Sequence, residues 1–195
     1  MLILKGAKTQ DASSPWHFSS RGFTLIELMA VVVIISVLIA IAIPNYISLK
    51  NRALEASVRA NMHNAQAACE EFSILAESWY PGDLDTRVGQ IVPTAPAAIA
   101  NLSLAGGVRV PPFPVNAMLR PHANLRNPFN HLFAVIENHL VAGPAPPVPP
   151  AGVRGCVYYS AYQIDNVTPT AHGQAAGSYC ITAYGSKGPI PLHLP

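Results

Sequence analysis

The most pronounced hydrophobic pattern in the chain is an apolar run from Phe23 to Ile43, in which Glu27 is the single charged residue. A helix of these 21 residues would span roughly 30 Å, the thickness of the hydrocarbon core of a bilayer. Because the run is apolar on every side, the helix must be buried in lipid or protein. An ordinary secretory signal fits less well, because its apolar region is shorter and ends at a small-x-small cleavage site. Residues 23–43 are therefore predicted to form a transmembrane or otherwise enclosed helix.

A second hydrophobic pattern follows and has the period of an amphipathic helix. From about Tyr46 onward, apolar residues recur every three or four positions and share one helical face. The pattern predicts a single helix from Phe23 to about Ser78, with residues 44–79 as its amphipathic half. Pro44 at the junction predicts a kink, because proline removes a hydrogen bond from a helix interior. The apolar face consists of Leu54, Val58, Met62, Ala65, Cys69, Phe72 and Leu75.

Residues 80–195 are predicted to form a globular head. Proline and glycine are dense in residues 83–155, so long regular elements are not expected there. The proline-rich stretch 143–150 predicts a surface loop of polyproline II character. Residues 132–136 predict a short strand.

The C-terminal part of the head has clearer strand patterns. Cys156–Ile164 and Ser178–Tyr184 are rich in aromatic and other strand-forming residues, and a polar loop of residues 165–177 separates them. They predict an antiparallel pair. The predicted fold class is therefore α+β: a long N-terminal helix packed on a small C-terminal antiparallel sheet.

The composition and the spacing of reactive residues argue against nucleic-acid binding, catalysis and metal binding. Charged residues make up 11% of the chain and hydrophobic residues 50%, and the net charge is only +2 without a basic patch, so nucleic-acid binding is not predicted. No nucleophile triad, phosphate loop or carboxylate pair has a recognisable spacing, so neither an enzyme nor a cofactor is predicted. The seven histidines are scattered, and Glu137 and Asp165 are the only acidic residues after Asp85, so no metal site is predicted.

The three cysteines lack the spacing of zinc, redox or haem motifs. If the C-terminal region is exported, a disulfide between Cys156 and Cys180 is the expectation. The alternative is a pair of buried thiols in a reducing compartment. Cys69 lies on the apolar face of the amphipathic helix and is predicted to be a buried core residue.

The segment RGFTLIELM, residues 21–29, carries a family resemblance. A basic residue and a glycine precede Phe23, and Glu27 stands four residues after that phenylalanine, ahead of the apolar run. This order resembles the class III signal of type IV pilins and type II secretion pseudopilins. The close resemblance covers about residues 21–60, and it implies the pilin fold.

The resemblance also implies how the chain is processed. Residues 1–22 would be a leader peptide, which a membrane prepilin peptidase removes by cutting between Gly22 and Phe23. The same enzyme would then N-methylate Phe23. A glycine suits this position because it lets the backbone enter a narrow protease cleft without a side chain.

For Glu27 the resemblance implies a role in assembly. A carboxylate inside an apolar span costs about 2.5–3.5 kcal/mol on insertion scales. In the family it meets the N-terminal amine of a neighbouring subunit, here the Phe23 ammonium. The pair would set the axial register, because a misplaced subunit leaves a charge unpaired. The alternative is a glutamate near the membrane interface, satisfied by water or headgroups.

The expected function is that of a structural subunit of a type IV pilus-like filament, as a major or minor pilin. The alternatives are a type II secretion pseudopilin and an uncleaved, signal-anchored binding domain. The partners implied are other pilin subunits, the prepilin peptidase, an inner-membrane assembly platform and, before assembly, membrane lipid. The expected location is the inner membrane, in a single pass with a cytoplasmic N-terminus, and then an extracellular or periplasmic filament.

Overall fold

The chain has the predicted α+β fold. The computed structural model describes residues 22–108, 112–120, 125–130, 136–140, 142–143, 147–148 and 153–190. The chain divides into two compact units, residues 1–44 and 45–195. In chain order the elements are α1 (Leu25–Leu75), β1 (Tyr80–Pro81), α2 (Val88–Ile91), α3 (Ala97–Ala100), β2 (Ile136–Asn138), β3 (Val157–Tyr162), β4 (Ala175–Ala176) and β5 (Ser178–Ala183).

In the first unit, residues 22–44 carry an apolar surface that no other described residue of the unit covers. Every side chain from residue 22 to residue 44 is exposed, and that of Ile41, near the end of the run, is 69% exposed. Among the described residues, α1 is the one helix long and apolar enough to span a membrane. Pro44 lies inside α1 and cannot donate to the carbonyl of Ala40. The kink at Pro44 stays a prediction.

Helix α1 ends at Leu75, slightly before the predicted end. Glu77 and Ser78 have φ angles of 54° and 71°, in the left-handed region that stops a helix. The Ser78 N–H donates back to the Ser73 carbonyl at 2.8 Å. This bond closes the last turn and directs the chain towards β1.

In the second unit, α1 supplies one wall of the hydrophobic core. Five members of the predicted apolar face are buried, as are Asn61 and Ala68 beside them. The predicted amphipathic period is therefore confirmed. The opposite wall comes from β3 and β5, with Tyr159 and Ile181 at 1% and 0% exposure. The five buried members of the face are Val58, Met62, Ala65, Cys69 and Phe72.

The main sheet has the strand order β2-β3-β5. Strands β3 and β5 are antiparallel, as predicted, with Ser160 opposite Cys180. Strand β2 runs parallel to β3, so the sheet is mixed rather than purely antiparallel. The connection from β2 to β3 is long enough for the crossover that a parallel pair requires. Of the predicted strand 132–136, only Ile136 lies in the described residues, and there it begins β2.

Of the predicted proline-rich loop, Gly143, Pro147 and Val148 are described. Val148 is 76% exposed, as a surface loop would be, but Pro147 is buried. The Gly143 N–H also donates to the Val167 carbonyl at 3.2 Å. At these positions the segment is packed on and bonded to the head.

Polar contacts attach the sheet and its loops to α1. The Glu70 carboxylate accepts hydrogen bonds from the hydroxyls of Tyr179 on β5 and Tyr80 on β1. Further along α1, Glu55 accepts bonds from the N–H and hydroxyl of Ser186. Glu70 and Glu55 therefore bond α1 to β1, to β5 and to the segment after β5.

We expect Phe72→Ala to lower the free energy of unfolding of the head by about 3–5 kcal/mol, because it opens a cavity in a packed core. Phe72 is 0% exposed, whereas Ile74 on the same helix is 80% exposed. The matched control Ile74→Ala should change stability by less than about 0.5 kcal/mol. Thermal unfolding of the full chain in detergent measures both. Equal effects would mean that this face of α1 does not pack on the sheet.

Candidate functional site

The N-terminus of α1 is closed by a reciprocal pair of hydrogen bonds between Thr24 and Glu27. The Thr24 N–H and hydroxyl both donate to Oε2 of Glu27, at 2.9 and 2.8 Å. In return, the Glu27 N–H donates to the Thr24 hydroxyl at 3.3 Å. This is a capping box, which satisfies two of the donors that every helix N-terminus leaves unpaired. The Glu27 carboxylate also lies at the positive end of the helix dipole.

The capping box uses only part of the Glu27 carboxylate. Both Thr24 donors contact Oε2, and no hydrogen bond to Oε1 occurs among the described residues. Glu27 itself is exposed. One carboxylate oxygen can therefore cap its own helix while the other meets a donor from outside the chain.

Gly22 precedes this cap in a position that does not require glycine for folding. A Cβ added there meets nothing within 4 Å, and its backbone is not among those with positive φ. Phe23 beside it is 81% exposed. The Gly22–Phe23 peptide is thus accessible, and nothing within the described chain explains the glycine.

Part of the chain is similar to known proteins. Residues 18–43 match the family model described as the prokaryotic N-terminal methylation motif. The chain is 47% identical over 53 residues to the type IV major pilin protein PilA of Myxococcus xanthus. It is 45% identical over 49 residues to the type IV narrow pilus major component PilA5 of Thermus thermophilus. Residues 18–43 thus carry the methylation motif, and about a quarter of the chain is similar to type IV pilins.

The likeness is confined to part of the chain. It covers 27% of this chain and 24% of the Myxococcus relative, and 25% of this chain and 42% of the Thermus relative. The chain therefore spans less than half the length of the curated relatives it matches. No solved structure matches the chain.

The structure corrects the predicted disulfide between Cys156 and Cys180. Cys156 and Cys180 are both buried free thiols. Cys180 lies opposite Ser160, whereas Cys156 lies beside Tyr184, whose N–H donates to the Cys156 carbonyl at 3.2 Å. Four residues along a strand amount to about 13 Å, but bridged cysteines have Cα atoms at most about 7 Å apart. The strand register therefore keeps these thiols apart.

Burial makes the three thiols poor nucleophiles. Removal from water raises the pKa of Cys156 to about 12 and that of Cys180 to about 11. Burial also raises the pKa of Cys69 well above its usual value. Since the thiolate is the reactive form, all three should be inert near neutral pH in the folded chain.

We expect alkylation at pH 8 without reductant to separate the folded and unfolded states. In the folded chain the labelling of all three cysteines should be at least about a hundredfold slower than that of an exposed thiol, because a raised pKa lowers the thiolate fraction. In denaturant, all three should be labelled rapidly. Mass spectrometry of the labelled peptides measures this. If two cysteines stayed unlabelled in denaturant until a reductant was added, a disulfide would be present after all.

Proposed function

We propose that the chain is the precursor of a type IV pilus subunit, which polymerises through its N-terminal helix. The observation that carries the proposal is the combination found at the start of α1. The fully exposed apolar segment of residues 23–43 holds one charged residue, Glu27, whose carboxylate caps α1 and keeps one oxygen for an outside partner. Both named relatives are described as major components of type IV pili.

The first step of the proposed function is removal of residues 1–22 by a prepilin peptidase. The exposed Gly22–Phe23 peptide supports this cut, and so does the absence of any folding reason for Gly22 among the described residues. Cutting creates a new amine on Phe23, which the peptidase then methylates. The chain is held in the inner membrane by residues 23–43, with its N-terminus cytoplasmic, until an assembly platform passes it to the filament.

The second step is assembly, in which Glu27 pairs with the Phe23 ammonium of the next protomer. In an apolar surrounding, an unpaired carboxylate is expensive. Oε1 of Glu27 lies at the same helix end as the new amine of its own chain. A neighbour offset along the filament axis can therefore place its own ammonium against that oxygen. The pair would fix the axial register of the subunits.

The second candidate is a type II secretion pseudopilin. Some major pseudopilins bind calcium through clustered carboxylates, and the scarcity of acidic residues after Asp85 therefore favours a pilus subunit. The type IV pilins among the relatives favour it too. An uncleaved, signal-anchored binding domain would need neither Gly22 nor the charge of Glu27.

We expect Gly22→Ala to be cleaved, at a reduced rate, and Gly22→Leu to remain uncut, because a bulky side chain blocks a narrow cleft. Neither substitution should disturb the fold, since the position is open. Mass spectrometry of the membrane fraction distinguishes a chain starting at Met1 from one starting at N-methyl-Phe23. Normal cleavage of the leucine variant would place the cut elsewhere. An intact Met1 start in the native chain would contradict the pilin proposal itself.

We expect Glu27→Gln to abolish or sharply reduce filaments while leaving α1 capped. A glutamine oxygen can still accept the Thr24 bonds of a capping box, but it carries no charge for the Phe23 ammonium. Glu27→Val, which loses both cap and charge, should also insert and be cleaved but fail to assemble. Thr24→Ala is the matched control, because it removes the cap, at about 1 kcal/mol, and keeps the charge.

The measurement compares cleaved monomer in the membrane with sheared filament, at matched expression. The proposal expects filaments from Thr24→Ala and none, or few, from either Glu27 variant. Abundant filaments from Glu27→Gln would show that the charge is not used in assembly. Loss of filaments in Thr24→Ala alone would make helix capping the requirement.

A further inference from the structure

The head contains a polar cavity that lies between four segments of the chain. Its volume is about 480 Å³, which is within the range of small-molecule sites in proteins, roughly 300–1,000 Å³. Its walls come from residues 85–90 after β1, from residues 103–107 after α3, from Asn116, and from His172 in the loop between β3 and β4. None of these residues belongs to the proposed cleavage and assembly site, so the cavity calls for an explanation of its own.

On one wall of the cavity, a buried carboxylate holds the exposed ring of His172. Asp83 is 8% exposed, and its Oδ2 accepts a hydrogen bond from the His172 Nδ1–H at 2.5 Å. Oδ1 of Asp83 accepts bonds from the N–H and the hydroxyl of Thr86 at 2.7 and 2.8 Å. The same hydroxyl accepts the Gly173 N–H at 3.1 Å. The imidazole is thus fixed through Nδ1, which leaves Nε2 as the ring nitrogen that can meet a ligand.

The segment after α3 forms another wall, and its backbone is also held in place. The Gly107 N–H donates to Oδ1 of Asp85 at 2.8 Å, and the Gly106 N–H donates to the Ser103 hydroxyl at 3.0 Å. Gly106 has a φ of 63°, and a Cβ there would come within 2.5 Å of the Pro114 ring, so only glycine fits. A wall that is already ordered costs little conformational entropy when a ligand binds.

The lining of the cavity selects a hydrophilic ligand. Apart from glycines, each described residue that lines it has a polar or charged side chain, whereas sites for apolar ligands are mostly apolar. The Arg87 guanidinium only donates hydrogen bonds, and Nε2 of a neutral His172 accepts one. The amides of Gln90 and Asn116 can both donate and accept. A ligand that fills the cavity must therefore offer donors as well as acceptors.

The charges in the lining argue for a ligand without a net charge. Arg87 and Asp85 have opposite signs and line the same cavity. Arg87 would oppose a simple cation and Asp85 would oppose a simple anion, because like charges repel strongly in a partly desolvated site. A hydroxyl group is uncharged and both donates and accepts a hydrogen bond. A small molecule with several hydroxyls therefore meets both requirements, and a sugar ring is such a molecule.

We infer that this cavity binds a neutral sugar, either as a free saccharide or as the end unit of a glycan chain. The guanidinium of Arg87 and the fixed imidazole of His172 hold neighbouring hydroxyls, and the amides of Gln90 and Asn116 bind the remaining ones. The site lies wholly within the head and uses no residue of the apolar segment. Sugar binding by the single chain therefore does not depend on the proposed role as a filament subunit.

The test is a titration of the ¹⁵N-labelled full chain with sugars, followed by NMR, in a detergent that has no sugar headgroup. The probes are glucose, galactose, mannose and N-acetylglucosamine. We expect at least one of them to shift the amide signals of Gly106, Gly107 and Gly173 in a saturable way. The amide signal of Gly155, which is not part of the lining, should stay unchanged. If none of the four sugars shifts the three cavity signals, the cavity holds only water and the inference is overturned.

A matched pair of arginine variants shows whether the sugar binds in the cavity. Arg87→Gln should weaken binding by about tenfold, because it removes a charged hydrogen-bond donor. Arg59→Gln changes an arginine that is equally exposed but lies on α1, and it should leave the affinity within about twofold. Both arginines are exposed, so neither change should disturb folding, and thermal unfolding checks this. An unchanged affinity in Arg87→Gln, or equal weakening by both variants, would overturn the inference.

Two further sets of probes define the class of ligand. Sodium acetate and tetramethylammonium chloride test for a simple anion site and a simple cation site, and tighter binding of either salt than of every sugar would overturn the inference. The methyl glycoside of the sugar that binds identifies its source. Equal affinity for the glycoside supports recognition of the end of a glycan chain, whereas loss of binding supports recognition of the free saccharide.

Discussion

The uncovered apolar surface of residues 23–43 is the constraint that the rest of the molecule must satisfy. Each apolar Å² left in water costs about 25 cal/mol, and this segment is exposed around its whole circumference. None of the described residues in the first unit covers it. In the proposed function, lipid would cover it before assembly and neighbouring helices would cover it afterwards. The head must therefore fold around its own core, because the apolar segment contributes no buried side chain to it.

The head meets that requirement by using the later part of α1 as a wall. Phe72 and its neighbours fill one side of the core, and Tyr159 and Ile181 fill the other. Glu70 lies outside the core and links α1 to both sheets, because its carboxylate accepts hydrogen bonds from the hydroxyls of Tyr80 on β1 and Tyr179 on β5. The Tyr80 and Tyr179 rings lie 4.6 Å apart between centroids. Helix α1 thus has two kinds of surface, one that is apolar all round in its first part and one that is amphipathic in its later part. The period of the hydrophobic residues distinguishes the two parts.

The parts of the structure that depend on local sequence patterns could be predicted, and the parts that depend on strand register and long connections could not. The amphipathic face and the β3–β5 pair depend on local patterns, and both are confirmed. The position of Cys180 opposite Ser160 depends on register, which composition does not specify, so the predicted bridge to Cys156 was wrong. The parallel pairing of β2 with β3 depends on a long crossover connection, and no local sequence pattern predicted it. At the candidate site, Gly22, Phe23 and Glu27 were predicted from the motif, whereas the capping role of Thr24 was visible in the spacing Thr-x-x-Glu but was missed.

The cap also suggests why removal of the leader and assembly would be coupled through Glu27. While residues 1–22 are attached, the nitrogen of Phe23 is a neutral amide and can offer no charge. Oε2 of Glu27 is then held by Thr24, so the carboxylate is fixed in place with its other oxygen turned outward. In the proposed function, cleavage would create an ammonium at this helix end of every subunit, and only then would a complementary pair exist between copies. Because the acceptor is already positioned, pairing would cost little further side-chain entropy. A precursor would thus lack the interaction that orders a filament, and the peptidase would supply it by breaking one bond.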